Sequence, residues 1–205
     1  MPTLDEISSY RIQPNPSDPR LSRVITGVDQ HGQPTKTSVI EERPLTIYLN
    51  AQEIVTAMTI GDYPEYLAVG FLKNQGMLKP DDVIEMVEYD EELDVVVVRT
   101  ERESNYEEKL SKKTRTSGCA VGTVFGDMME GVDQVSLAAT PVHTSWIYRL
   151  SHLINRTPSL YLETGAIHGT VLCEKDQPLI YMEDVGRHNA VDKISGWMHL
   201  EQVTP

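Results

Sequence analysis

Two cysteines in 205 residues, Cys119 and Cys173, are too few for a disulfide framework, and neither belongs to a Cys-x-x-Cys pair. The sequence also lacks any apolar run approaching the roughly 18 residues of a membrane span, any internal repeat and any low-complexity tract. Nothing near Met1 resembles the charged and apolar regions of a signal peptide. The expectation is a cytoplasmic protein with free thiols. Cations are scarce as well: 18 Lys and Arg stand against 31 Asp and Glu, a formal net charge of -13. Such a surface repels nucleic-acid backbones and anionic lipid, so neither is an expected partner, and a bound anion would need a local exception. No His-x-Glu precedes a Cys-x-x-Cys, so the zinc-deaminase signature fails and no metal site is expected.

What is present suits one globular domain, since 40% hydrophobic residues over this length can fill a sizeable core. Pro2, Pro14, Pro16 and Pro19 predict a loosely ordered arm over residues 1–20, followed by a single domain over 21–205. Strand-like runs at 21–28, 37–42, 45–49 and 53–58 make the stretch of about 21–60 β-rich and suggest consecutive antiparallel pairing. Asp62 before Tyr63-Pro64 reads as a helix N-cap, with Leu67, Ala68, Phe71 and Leu72 as the buried face. Residues 83–89 and 93–100 predict a hairpin whose Val95–Val98 run should be a central strand buried on both faces. Trp146, Ile147, Leu150, Leu153 and Ile154 mark a second helix, closed by Pro158, and strands follow at 167–173 and 179–182. Strands first and a helix-strand alternation later predict an α/β sandwich, a mixed sheet flanked by helices.

The chemistry concentrates at three places. Residues Glu183 to Lys193 join the last strand to a helix with apolar residues at Ala190, Val191, Ile194, Trp197 and Met198, and seven of these eleven carry a charge, an imidazole or an amide. Strand-to-helix junctions place ligand sites in α/β proteins, and free N–H groups there favour an anion beside Arg187 and His188. The structural alternative is a helix capped by Asp184 or Asn189, with His188–Asp192 and Asn189–Lys193 pairing four residues apart. The second place is Cys119, in the small-residue run Ser117-Gly118-Cys119-Ala120-Val121-Gly122. Lys109, Lys112, Lys113 and Arg115 lie within ten residues upstream and can lower the pKa of its thiol if they fold toward it. The alternative is a buried, inert thiol, the reading that also fits Cys173 at the end of an apolar strand. His168, between Ile167 and Gly169, is equally open to a site role and a core role.

These motifs, with Glu42-Arg43-Pro44-Leu45-Thr46-Ile47-Tyr48-Leu49-Asn50 and Glu65-Tyr66-Leu67-Ala68-Val69-Gly70-Phe71-Leu72 ahead of them, occur in the order found in the formate dehydrogenase accessory sulfurtransferase family, often written FdhD, which this chain resembles from about Thr37 to Gly196. The resemblance implies a cytidine-deaminase-like α/β fold and a homodimer. It implies a sulfur carrier that takes persulfide sulfur from a cysteine desulfurase and passes it to the molybdenum bis-pterin guanine dinucleotide cofactor for formate dehydrogenase. By motif, Cys119 corresponds to the persulfide-bearing cysteine. Arg187, His188, His168, Lys112 and Lys113 are the residues expected to hold the cofactor. Many members carry a second cysteine three residues after the first, where this chain has Gly122, and extend beyond the point at which this sequence ends. A non-catalytic chaperone that binds the cofactor or the apo-dehydrogenase is the alternative. A thiol hydrolase using Cys119 with His168 or His188 is weaker, because no orienting carboxylate or oxyanion loop is visible.

Overall fold

A computed structural model describes residues 10–79, 81–102, 113–116, 122–125 and 139–203. Strand β1 (Ser22–Val28) and strand β2 (Pro34–Ile40) form a separate antiparallel ribbon. Strand β3 (Arg43–Leu49) alternates as a half-buried strand must, with Leu45, Ile47 and Leu49 inside and Pro44, Thr46 and Tyr48 toward solvent. It pairs antiparallel with β4 (Gln52–Thr59). Its other edge is not taken by β2. Strand β6 (Val95–Thr100) lies there in parallel, and β5 (Ile84–Asp90) closes a four-stranded mixed sheet of order β4-β3-β6-β5. Consecutive antiparallel pairing therefore holds for β1–β2 and β3–β4 but fails between β2 and β3.

The valine run is central in the sheet but not equally buried on both faces. Val96 and Val98 are closed off, while Val95 and Val97 are only half-buried, because helices cover one face of this sheet. Helix α1 (Pro64–Asn74) supplies that cover through Leu67, Ala68, Phe71 and Leu72, as their spacing predicts. Val69 and Gly70 are buried as well, because the opposite side of α1 meets another helix.

That helix is α4 (Arg187–Leu200), which in turn packs on the antiparallel pair β9 (His168–Glu174) and β10 (Gln177–Asp184). Ile180, Met182, Ile194 and Trp197 form the core of this second layer. The two helices cross where Gly70 faces Gly196. A Cβ on Gly70 would overlap the carbonyl oxygen of Asp192, and one on Gly196 would overlap that of Tyr66. Only glycine permits this approach of backbone to backbone. Residues 11 and 12, within the expected N-terminal arm, lie along β10: Arg11 N donates to the Leu179 carbonyl and Tyr181 N donates to that of Ile12.

Helix α2 (Thr144–Ile154) forms where the apolar spacing marks it. Leu153 is buried, but Ile147 and Tyr148 are exposed, so the apolar spacing that marks the helix does not mark a core face among the described residues. The short helix α3 (Leu160–Thr164) starts at Ser159, whose side chain accepts from Leu162 N at 3.3 Å. Two strands were not foreseen: β7 (Lys113–Thr116) and β8 (Gly122–Phe125) form an antiparallel hairpin. Thr114, Thr116, Thr123, Val124 and Phe125 were the available signal, since β-branched and aromatic residues favour strands. No helix of the described residues is long and apolar enough to cross a membrane.

Candidate functional site

Only Val185 and Gly186 separate β10 from α4, so the end of the strand and the first turns of the helix share one buried polar cluster. Lys193 is fully buried. Its ammonium donates to Asp62 Oδ1 at 2.5 Å, to the Glu183 carbonyl at 2.9 Å and to Asp184 Oδ2 at 2.6 Å. Three protons thus meet three acceptors. Asp184 is equally saturated. Its Oδ2 also accepts from Thr59 Oγ1 at 2.5 Å, and its Oδ1 accepts from Asn189 Nδ2 at 2.9 Å and from Gly186 N at 3.2 Å. Asn189 Nδ2 donates further to the Met58 carbonyl at 2.8 Å, tying α4 to the end of β4. Glu183 points the other way and caps α3, accepting from Leu160 N at 2.8 Å and Tyr161 N at 3.0 Å.

Burial works against the Lys193 ammonium, but Asp62 and Asp184 outweigh it and raise its pKa above the ordinary lysine value. Burial, with Asp184 nearby, raises the Asp62 carboxyl, because two carboxylates share one ammonium; Lys193 opposes the shift. The capping roles read from sequence are replaced here. Asp62 does not cap α1, whose N-cap is Tyr63 with no side-chain bond, because its carboxylate is spent on Lys193. Neither Asp184 nor Asn189 is the N-cap of α4; that residue is Gly186. The i,i+4 pairs do not form either: Asn189 and Lys193 both turn to Asp184, and Asp192 bonds to Asn74 Nδ2 at 2.6 Å.

Five of the seven polar residues of the motif, Glu183, Asp184, Asn189, Asp192 and Lys193, are therefore buried bracing, and the other two face out. Arg187 and His188 are exposed in the first turn of α4, where no side chain caps the free N–H groups. His168 is exposed too, and the β9–β10 register sets it directly across from Asp184, three residues before Arg187. The fold thus brings His168, Arg187 and His188 to the same end of one hairpin. Cys119 and Lys112 lie outside the described residues. Lys113 opens β7, opposite Phe125, and the connection from β7 to β8 contains Cys119. Cys173 is half-buried, and burial raises its thiol pKa. Thr59, Asp62 and Asn74 carry no local signal of their role, since each meets its partner from more than 110 positions away. Among the described residues, no group of three or more His, Cys, Asp or Glu could hold a metal ion.

Asp192 offers a direct test of the bracing. Burial, with help from Asp184 and against the Asn74 bond, pushes its carboxyl from 3.8 up to about 6. A folded-state value above the unfolded one means that the folded chain holds the proton more tightly. That contribution is complete below the unfolded value and is lost as pH rises through about 6. Asp192→Asn keeps an acceptor for Asn74 and is expected to stabilise the protein at pH 8 by about 1–3 kcal/mol, with a flatter profile between about pH 4 and 6. Urea unfolding at a series of pH values reads this, and equal stabilities of parent and variant at pH 8 would contradict it.

The class of protein that emerges is a mixed α/β fold with helices against its sheets, in which a buried ammonium between two carboxylates braces the strand–helix junction under an exposed Arg-His-His end. The model of the FdhD/NarQ family matches residues 40–205, and the chain belongs to that family. Among curated relatives, it is 28% identical over 172 residues to the sulfur carrier protein FdhD of Bacillus pumilus, covering 80% of this chain and 64% of the relative. It is 32% identical over 168 residues to the protein of the same name from Wolinella succinogenes, covering 80% and 58%. The chain thus spans less than two thirds of the length of these relatives. A solved structure described as a formate dehydrogenase accessory protein, from Desulfotalea psychrophila, superposes with a TM-score of 0.66 at 23% identity, covering 89% of this chain and 68% of that one. It has the same mixed α/β fold.

Proposed function

We propose that this chain is a sulfur carrier in formate dehydrogenase maturation, loaded at Cys119 by a cysteine desulfurase and unloaded onto the molybdenum bis-pterin guanine dinucleotide cofactor. Support comes from its membership of a family whose curated relatives are named sulfur carriers. The observation that carries the reading beyond the name is the gathering of His168, Arg187 and His188 over an uncapped helix N-terminus, a local exception on an acidic chain suited to the cofactor's anionic groups. In the loading step, the Cys119 thiolate attacks the outer sulfur of the donor persulfide. A new S–S bond forms at Cys119 as the donor's S–S bond breaks, and the donor cysteine leaves as a thiolate, so no net oxidant is required. Lys112, Lys113 and Arg115 offset charge on the thiolate or on phosphates. The protein acts as a homodimer in the cytoplasm.

The test is peptide mass spectrometry after incubation with a cysteine desulfurase and free cysteine. A dithiothreitol-reversible gain of roughly 32 Da is expected on the peptide containing Cys119, absent in Cys119→Ala. No gain, with the desulfurase active on a known acceptor, would favour a second reading, a chaperone that binds cofactor without carrying sulfur. Gly122, where many relatives have a second cysteine, is the feature that speaks for it.

A further inference from the structure

A cleft of about 480 Å³ opens between Arg20, the start of β3, the turn before α1 and the end of β5. Its wall includes Asp62, whose Oδ1 accepts from the Lys193 ammonium while the side chain stays 19% exposed. The turn beneath is conformationally demanding: Gly61 sits at φ +82 with the Arg43 side chain packed over it, and Tyr63 sits at φ +49, left-handed for a bulky residue. Strain of this kind persists only where surrounding contacts fix it. Here Pro64, the Asp62–Lys193 pair and the stacking of Tyr63 on Tyr66, with centroids 5.8 Å apart, do so.

The charges on the wall are unevenly satisfied. Arg20 is held by Asp18 through three side-chain bonds of 3.1, 3.3 and 2.7 Å. Arg43, in contrast, makes a single long bond of 3.4 Å to the Arg20 carbonyl and is in no ion pair with a described residue. Glu65 and Glu91 also line the cleft and are in no ion pair with described residues. With the Arg20–Asp18 and Lys193–Asp62 pairs set aside, the cleft presents the Arg43 guanidinium, which also feels Asp18, and the Glu65 and Glu91 carboxylates, of which Glu91 also feels Arg20; Tyr63 and Tyr89 share the wall. A simple anion would meet the carboxylates and a simple cation would meet Arg43. We infer that the cleft is a binding site for a small zwitterion of the free amino-acid class, its carboxylate on Arg43 and its ammonium between Glu65 and Glu91. Neither Arg187 nor His188 lines this cleft, and the inference does not depend on the sulfur-carrier reading.

The test is isothermal titration of the full chain with each of the twenty free amino acids, then with the α-carboxamide and N-acetyl forms of any that bind. At least one amino acid is expected to bind, with affinity reduced tenfold or more by either cap. Arg43→Gln should remove dependence on the carboxylate, and Glu91→Gln, at an exposed position, should weaken binding of the ammonium. Circular dichroism and thermal melts of both variants establish that they fold. Three results overturn the inference: no binding by any amino acid at 10-fold millimolar excess, binding that survives both caps and Arg43→Gln, or binding of inorganic phosphate that Arg43→Gln abolishes while amino acids do not compete.

Discussion

Lys193→Met is expected to cost about 3–5 kcal/mol of stability at neutral pH, the range for removing one partner from a buried ion pair. Methionine fills much of the volume of the lysine stem, so the loss isolates the charge. Two carboxylates, Asp62 and the fully buried Asp184, would then face each other with no ammonium between them. The Asp62 carboxyl, already raised by burial, would rise further once Lys193 no longer opposes the shift. The folded variant then binds protons more tightly than the unfolded chain, so its stability recovers as pH falls and is lost as pH rises through the raised value. Urea unfolding at pH 5 and pH 8 should therefore show a larger deficit at pH 8. The parent, in which Lys193 opposes the rise at Asp62, should show a smaller divergence from this source. Adding Asp62→Asn to Lys193→Met should restore part of the loss by removing one of the two charges. A deficit below about 1 kcal/mol at pH 8 would mean that water replaces the ammonium and that the cluster does not brace the junction.

Alanine at Gly196 or Gly70 is expected to cost about 3 kcal/mol or more, above the usual range for added core volume, because the obstacle is backbone. The Gly196 Cβ would overlap the Tyr66 carbonyl and lie 2.9 Å from Gly70 N. The Gly70 Cβ would overlap the Asp192 carbonyl and lie 2.7 Å from Gly196 N. Neither helix has a flexible side chain there that could turn aside, so α1 and α4 must separate. Separation would also lengthen the Asn74–Asp192 and Asp62–Lys193 bonds, which cross the same interface. Because one separation relieves both clashes, the double variant should lose less than the sum of the single losses. Chemical denaturation of the two single variants and the double variant measures this. Full additivity would show that each glycine is required for a separate, local reason.

Much of the scaffold was legible in the residues. Period-two alternation placed β3, the spacing of Leu67, Ala68, Phe71 and Leu72 placed α1, and the Arg187–Lys193 run placed the start of α4. The same logic placed α2, but among the described residues its apolar side is covered unevenly: Leu153 is buried, Trp146 and Leu150 are half-buried and Ile147 is exposed. Periodicity reports which residues share a side, but only a neighbouring element decides whether that side is covered. Capping logic failed at Asp62 for a related reason. A carboxylate before Tyr63-Pro64 satisfies a local pattern, yet an ammonium 131 positions away offers a stronger partner in a buried setting.

The sequence by itself determined the α/β class, the acidic surface that disfavours phosphate backbones, the motif order that marks the family, and the single thiol flanked by small residues. Each of these is a property of composition or of neighbours along the chain. The tertiary structure decided which residues of Glu183 to Lys193 are bracing and which face outward. It turned Glu183, Asp184, Asn189, Asp192 and Lys193 inward, left Arg187 and His188 exposed, and set His168 beside them. Charge and spacing are alike for both groups in the linear chain. They separate only when α1 and α4 close to glycine-on-glycine distance, because that closure is what buries one face of the junction and obliges its charges to pair.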